Sequence, residues 1–214
     1  MYKTNKMLSI VGILCGIMVF TLSFKSSFYT IIAFIISFIL ISSLRLFLIK
    51  EPMNSLKDIS PIVVGIIYIP TLLLAQWHLR LKGYEWIIFL YSCVWISDSF
   101  AYYIGKGFGK RKLYISVSPN KTVEGAIGSV IGGIISSSIL GGILNLNINF
   151  IYLMLIGIII GSITIIGDLV ESMFKRDAKV KDSGSFIPGH GGILDKIDGV
   201  LFAGPTLFFI TLVI

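Results

Sequence analysis

Long apolar runs separated by short polar segments dominate the pattern along the chain. The runs are continuous and lack the alternation of a half-buried strand, so they predict helices. Runs of roughly 17–25 residues match a hydrocarbon core of about 30 Å, in which backbone groups must be satisfied internally. We therefore predict an all-α, polytopic transmembrane helical bundle. Its seven spans are expected at residues 7–23, 28–48, 60–78, 85–105, 123–144, 148–174 and 192–214.

Composition supports a membrane protein, with 55% hydrophobic and 14% charged residues. Cys15 and Cys93 both lie in apolar runs without metal-ligand spacing, which predicts buried free thiols and no disulfide framework. Small residues in the fifth and sixth spans predict close packing of helix backbones. The glycines concerned are Gly128, Gly132, Gly133, Gly157 and Gly161.

The basic residues predict the orientation. If the N-terminus is cytoplasmic, most loop lysines and arginines face inward, and Lys25, Arg80 and Lys82 fall outside. This bias follows the positive-inside rule. The formal charge of +7 is then explained by orientation and anionic lipid, and nucleic acid is not needed as a partner. With Lys3 and Lys6 before it, the first span is expected to be a retained signal anchor.

Charge concentrates in one stretch, SMFKRDAKVKDSGSFIPGHGGILDKIDG, at residues 172–199. Ionisable residues within apolar spans cost up to about 2.5–3.5 kcal/mol on insertion scales, the value at the helix centre, and usually serve function. In the sixth span, acidic and polar positions follow i, i+3, i+4, i+7 spacing and share one face. Asp195 and Asp198 share a face of the seventh. Carboxylates from two helices are suited to Mg²⁺, although pairing with Lys175, Arg176 or Lys196 is the structural alternative.

A glycine-rich segment around His190, just before the last predicted span, suggests an anion site. Gly191 and Gly192 are expected to leave backbone N–H groups free at a helix start. Together with the upstream lysines, this suits a polyphosphate substrate. A second inner loop, at 98–125, contains GKGFGK but fits neither a P-loop nor G-x-G-x-x-G. A solvated basic connector is the alternative for that loop.

These residues resemble the phosphatidate cytidylyltransferase, or CDP-diacylglycerol synthase, family. Its C-terminal signature is matched by Ser172, Phe174, Lys175-Arg176, Lys181-Asp182, Gly184, Ile187, Pro188, His190-Gly191-Gly192, Asp195 and Asp198. Lys196 stands where the family usually has arginine. The lysine keeps the positive charge but loses a bidentate phosphate contact. The earlier loop is also similar, in Asp98, Ala101-Tyr102, Gly105, Gly109, Ser118-Pro119, Lys121-Thr122 and Glu124-Gly125. Asn120 replaces a common lysine.

The resemblance implies N-terminal transmembrane helices over 1–84 and a catalytic region over 85–214. It implies that Mg²⁺ is held by Asp168, Glu171, Asp195 and Asp198, and it leaves open whether a second, monovalent cation joins Mg²⁺. It implies catalytic roles for Lys175, Arg176, Lys181, Asp182, His190 and Lys196. Substrate binding would fall to Asp98, Tyr102, Ser118, Lys121, Thr122, Glu124, Ser172, Gly191 and Gly192.

The implied reaction converts CTP and phosphatidate to CDP-diacylglycerol and pyrophosphate in the cell membrane. The resemblance implies no nucleic-acid partner, and it leaves a homodimer open. One alternative is a related CTP-dependent transferase acting on another lipid, such as an archaeol phosphate or a polyprenol. A cation-coupled transporter is a further alternative, but the carboxylates cluster toward one side and internal repeats are lacking.

Overall fold

The computed structural model describes residues 5–185 and 191–214, and this part of the chain is mainly helical. Seven of its helices are long and apolar enough to cross a membrane, which confirms the predicted multi-pass helical protein. Which end faces the cytoplasm stays a prediction. The elements are α1 (Lys6–Ser23), α2 (Ser27–Leu48), α3 (Ser55–Ile66), a π-helical turn (Ile67–Thr71), α4 (Leu72–Lys82), α5 (Tyr84–Phe108), β1 (Lys112–Tyr114), β2 (Ser118–Thr122), α6 (Val123–Ile143), α7 (Phe150–Asp177) and α8 (Leu194–Val213).

The third span is longer than predicted and contains an irregular turn. It runs over Ser55–Lys82 instead of 60–78, because the helix continues through polar residues at both ends of its apolar run. Pro70 has no N–H to give to the Ile66 carbonyl. The Thr71 hydroxyl donates to that carbonyl at 3.0 Å instead, and the helix widens into a π-helical turn there.

Two other predictions about secondary structure need correction. The last helix begins at Leu194, two residues later than predicted. Gly191, which precedes it, has left-handed backbone with φ +88°. The loop between α5 and α6 contains an antiparallel hairpin of β1 and β2, with Lys112 opposite Thr122 and Tyr114 opposite Ser118. The helical pattern gave no indication of this hairpin.

The chain divides into two compact units, one ending at Ala75 and the other beginning at Gln76. The core of the first unit contains Val19, Ala33 and Ile41. Its α2–α3 connection is tied down by Arg45, which is 3% exposed. The Arg45 Nε donates to Asp58 Oδ2 at 2.7 Å, and its other nitrogens donate to two loop carbonyls.

The second unit has its own core, made by α4, α5, α7 and α8. Phe89 and Leu90 of α5 are fully buried with Ile160 of α7 and Leu207 of α8. Cys93 belongs to this core and Cys15 to the core of the first unit, and both are free thiols. The prediction of buried, unpaired cysteines is therefore confirmed.

Glycines of α6 and α7 let α6 pack closely against both α5 and α7. Toward α5, a Cβ on Gly132 would lie 2.8 Å from the Phe100 Cβ. Toward α7, a Cβ on Gly161 would lie 2.6 Å from the Ser129 carbonyl oxygen, and the Ser129 hydroxyl donates to the Gly161 carbonyl at 2.9 Å. The predicted role of these glycines in helix packing is confirmed. This packing fixes the helix ends that carry the charged residues.

Candidate functional site

Two carboxylates, a hydroxyl and a lysine share one face of α7. The Ser172 hydroxyl donates to Asp168 Oδ1 at 3.3 Å, and the Lys175 ammonium donates to Glu171 Oε2 at 2.8 Å. Each pair is separated by four residues, so the predicted shared face is confirmed. Glu171 is only 1% exposed. A carboxylate buried this deeply needs a cation or several donors beside it.

Asp195, in the first turn of α8, connects three segments of the second unit. Its Oδ1 accepts from Lys175 Nζ at 2.7 Å. Its Oδ2 accepts from the Ser183 amide at 3.0 Å, from the Ser183 hydroxyl at 2.9 Å and from the Gly192 amide at 2.7 Å. Asp195 thereby fixes the α7–α8 connection to both helices. Gly191 has φ +88°, a left-handed backbone conformation that side chains with a Cβ rarely adopt, which explains the glycine.

The predicted role of the Gly192 amide in binding an anion stays a prediction. In the structure this N–H donates to Asp195 Oδ2 at 2.7 Å. His190, Ile187 and Pro188 lie outside the described residues.

The β-hairpin of the α5–α6 loop contacts the charged face of α7. Lys121 of β2 forms an ion pair with Asp168 of α7. Asp98 of α5 interacts electrostatically with Asp168, Asp198 and Lys121. Residues from α5, β2, α7 and α8 therefore meet at one location. We call Asp98, Lys121, Asp168, Glu171, Lys175, Asp195 and Asp198 the charged cluster.

Several residues predicted to bind substrate hold this hairpin in place. The Thr122 hydroxyl accepts from the Gly125 amide at 3.1 Å and caps α6. The Glu124 carboxylate accepts from the amides of Lys110 and Arg111 at 3.0 and 3.2 Å. The loop is therefore an ordered element attached to α6, not merely a solvated connector.

Arg176 joins the end of α7 to this hairpin. Its guanidinium donates to the carbonyls of Val117 and Val180, both at 3.3 Å. These contacts connect the α5–α6 loop with the α7–α8 connection. The Arg176 side chain can therefore keep the hairpin beside the charged cluster.

Other predicted residues lie nearby in the chain without a described contact to the charged cluster. Tyr102 is 59% exposed and stacks edge-on against Tyr103, with the Lys106 ammonium 5.7 Å from its ring centre. Ser118 pairs with Tyr114 in the hairpin. The side chains of Lys181, Asp182 and Lys196 are exposed.

Ser183 is a contact residue that the sequence analysis missed. It lies between Asp182 and Gly184, at the variable position of the motif, and no role was assigned to it. Both its amide and its hydroxyl donate to Asp195. Its position, as a short polar residue between a charged motif and a glycine-rich turn, indicates a hydrogen-bonding role. The sequence does not show that the acceptor is Asp195.

The charged cluster has the donor chemistry for a hard cation. Across residues 5–185 and 191–214, no three carboxylate, histidine or cysteine side chains form a ready set of metal ligands. Lysines lie between the carboxylates instead. Yet Glu171 Oε1 is buried and accepts no hydrogen bond within the described part of the chain. An oxygen-preferring divalent cation would satisfy it, so the residues fit Mg²⁺.

The fold and the cluster define a multi-pass membrane protein with a charged site built from helix ends and a hairpin. The sequence model of the Cytidylyltransferase family matches residues 1–214, and the chain belongs to this family.

Curated relatives give the same classification. The chain is 46% identical over 133 residues to a phosphatidate cytidylyltransferase of Bacillus subtilis, covering 61% of this chain and 49% of the relative. It is 39% identical over 175 residues to the protein of that name in Staphylococcus saprophyticus, covering 80% and 65%. A Staphylococcus epidermidis protein of the same name is 37% identical over 153 residues, covering 72% and 59%. The matched part is thus about half to two-thirds of each relative.

Proposed function

We propose that this protein is a phosphatidate cytidylyltransferase of the cell membrane, which converts CTP and phosphatidate to CDP-diacylglycerol and pyrophosphate. The observation that carries the proposal is the meeting of carboxylates and lysines from α5, β2, α7 and α8. Family membership and the names of the relatives support it. Charged side chains on membrane-spanning helices suit a reaction between a polar nucleotide and a lipid headgroup.

The proposed chemistry requires little proton transfer. An anionic phosphate oxygen of phosphatidate attacks the α-phosphorus of CTP and forms a new P–O–P linkage. The bond from the α-phosphorus to the bridging oxygen of the β-phosphate breaks, and pyrophosphate leaves with that electron pair. Both reactants and the leaving group are anions. Catalysis therefore depends on positioning and on neutralising negative charge.

The residues of the charged cluster divide into two chemical groups under this proposal. Lys175 and Lys121 supply positive charge to phosphates, with Arg176, Lys181 and Lys196 as further cations around the loops. The carboxylates of Asp168, Glu171, Asp195 and Asp198 would hold Mg²⁺. When bound, Mg²⁺ neutralises charge on the phosphates and orients them. The roles of Asp182 and His190 rest on the family resemblance.

If the N-terminus is cytoplasmic, the cluster faces the cytosol, where CTP is available. The phosphatidate headgroup would reach the same cluster from the inner leaflet.

A membrane assay with labelled CTP tests the proposal. With phosphatidate and Mg²⁺, membranes containing the protein should form a lipid-soluble nucleotide, and membranes without it should not. A polyprenyl phosphate in place of phosphatidate should give no such product. Labelling of that lipid but not of phosphatidate would favour the alternative transferase. The absence of lipid-soluble nucleotide with either lipid would reject the proposed reaction.

A further inference from the structure

Lysine ammonium groups occupy the space between the candidate metal ligands. Lys175 Nζ lies 2.8 Å from Glu171 Oε2 and 2.7 Å from Asp195 Oδ1, so it bridges two helices. The Lys175, Glu171 and Asp195 side chains are 16%, 2% and 12% exposed. Lys121 forms a separate ion pair with Asp168. Three of the four candidate ligands are therefore already paired with a lysine.

Electrostatics explains why a metal-binding cluster would contain these lysines. Carboxylates held together in a poorly hydrated place repel one another, and leaving them without a counter-charge is costly. An ammonium group is a compact positive charge with three donors on a flexible stem. It can therefore neutralise two carboxylates and can also leave them. The same group binds phosphate as a point charge.

We infer that Lys175 and Lys121 act as place-holding cations. They keep the carboxylates assembled while metal and nucleotide are absent, and they move to the nucleotide phosphates when a divalent cation takes the carboxylates. The inference rests on the proposed use of a metal–nucleotide substrate. It makes Lys175 and Lys121 positioning residues for the carboxylates before they contact substrate.

This exchange makes metal and nucleotide binding cooperative. A divalent cation alone must displace an ammonium group that then lacks a partner, so it binds weakly. With nucleotide present, the displaced lysine gains a phosphate, and each ligand improves the binding of the other by the same factor. A lysine that only stabilised the fold would not link the two ligands in this way.

Binding measurements without phosphatidate test the inference, because CTP then cannot react. The full chain in detergent is titrated with Mn²⁺, a paramagnetic substitute for Mg²⁺, with and without CTP, and free Mn²⁺ is measured by electron paramagnetic resonance. Lys175→Met should bind Mn²⁺ alone about tenfold more tightly, equivalent to about 1.4 kcal/mol. It should bind CTP about tenfold more weakly, and the cooperativity should largely disappear.

Two control variants separate place-holding from general effects of losing a lysine. Lys57→Met removes an exposed lysine of α3 in the first unit and should leave both affinities unchanged. Lys175→Arg keeps the positive charge and should keep Mn²⁺ binding weak in the absence of CTP. An unchanged or weakened affinity of Lys175→Met for Mn²⁺ alone would overturn the inference.

A variant of a second lysine keeps the inference testable if Lys175→Met does not fold. If Lys175→Met loses its thermal unfolding transition, Lys121→Met provides the same comparison at Asp168. This variant should also bind Mn²⁺ alone more tightly and CTP more weakly. Failure of the wild-type protein to bind CTP would reject the proposed nucleotide substrate. The titration with Mn²⁺ alone would still decide whether a lysine occupies the cation position.

Discussion

Replacing Ser183 with alanine tests how Asp195 is positioned. Asp195 accepts from four described donors: the Lys175 ammonium, the amide and hydroxyl of Ser183, and the Gly192 amide. Ser183→Ala removes the hydroxyl contact of 2.9 Å and leaves the other three. A hydrogen bond to a charged group contributes about 1.5–3 kcal/mol. Because three donors remain, we expect a loss near 1.5 kcal/mol, or about tenfold in kcat/KM for CTP.

The assay is steady-state formation of lipid-soluble nucleotide, with CTP and phosphatidate varied separately. Mn²⁺ affinity in the presence of CTP should fall in parallel, since the carboxylate is less well oriented. Ser185→Ala is the matched control, because Ser185 is exposed in the same connection, and it should behave like the wild type. A change below twofold in Ser183→Ala, or an equal loss in both variants, would show that the Ser183 hydroxyl does not orient Asp195.

Three further predictions follow from the charged cluster and the helix packing. Asp168→Asn and Asp195→Asn should each abolish turnover while the protein stays folded in detergent, and near-normal activity of both at saturating Mg²⁺ would contradict their assignment as metal ligands. Gly161→Ala should destabilise the protein by about 1–3 kcal/mol in denaturant titrations through overpacking. Gly142→Ala, where a Cβ meets nothing within 4 Å, should be neutral or slightly stabilising, and equal effects would argue against tight packing at Gly161. A single cysteine at Lys112, in a background without native cysteines, should be labelled only from the cytosolic side, and labelling from outside intact cells would reverse the topology.

Patterns within a single helix were predictable from the sequence. Hydrophobic run lengths gave the membrane spans, because a span must match the thickness of the hydrocarbon core. Helical spacing placed Glu171 and Lys175 on one face of α7, where they pair. The glycines at 132 and 161 were correctly predicted as packing positions. Transmembrane helices associate in lipid largely through close van der Waals packing, which small residues permit.

Contacts between segments were not predictable in the same way. Spacing brought Asp195 to the first turn of α8, but it could not show that Ser183 and Gly192 donate to its carboxylate. The predicted role of Glu124 in substrate binding stays a prediction, and its contacts with the amides of Lys110 and Arg111 were not predicted. The hairpin was missed because its strands are short and polar, and their pairing depends on the neighbouring helix ends.

Following the two ends of the CTP triphosphate distinguishes cytidylyl transfer from other uses of CTP. Purified protein is incubated with phosphatidate, Mg²⁺ and CTP that carries a radioactive label on either the α- or the γ-phosphate. We expect α-label to enter the lipid phase in step with pyrophosphate release, while γ-label stays in the aqueous phase. Transfer of γ-label to lipid, or release of pyrophosphate without α-label in lipid, would reject the proposed reaction.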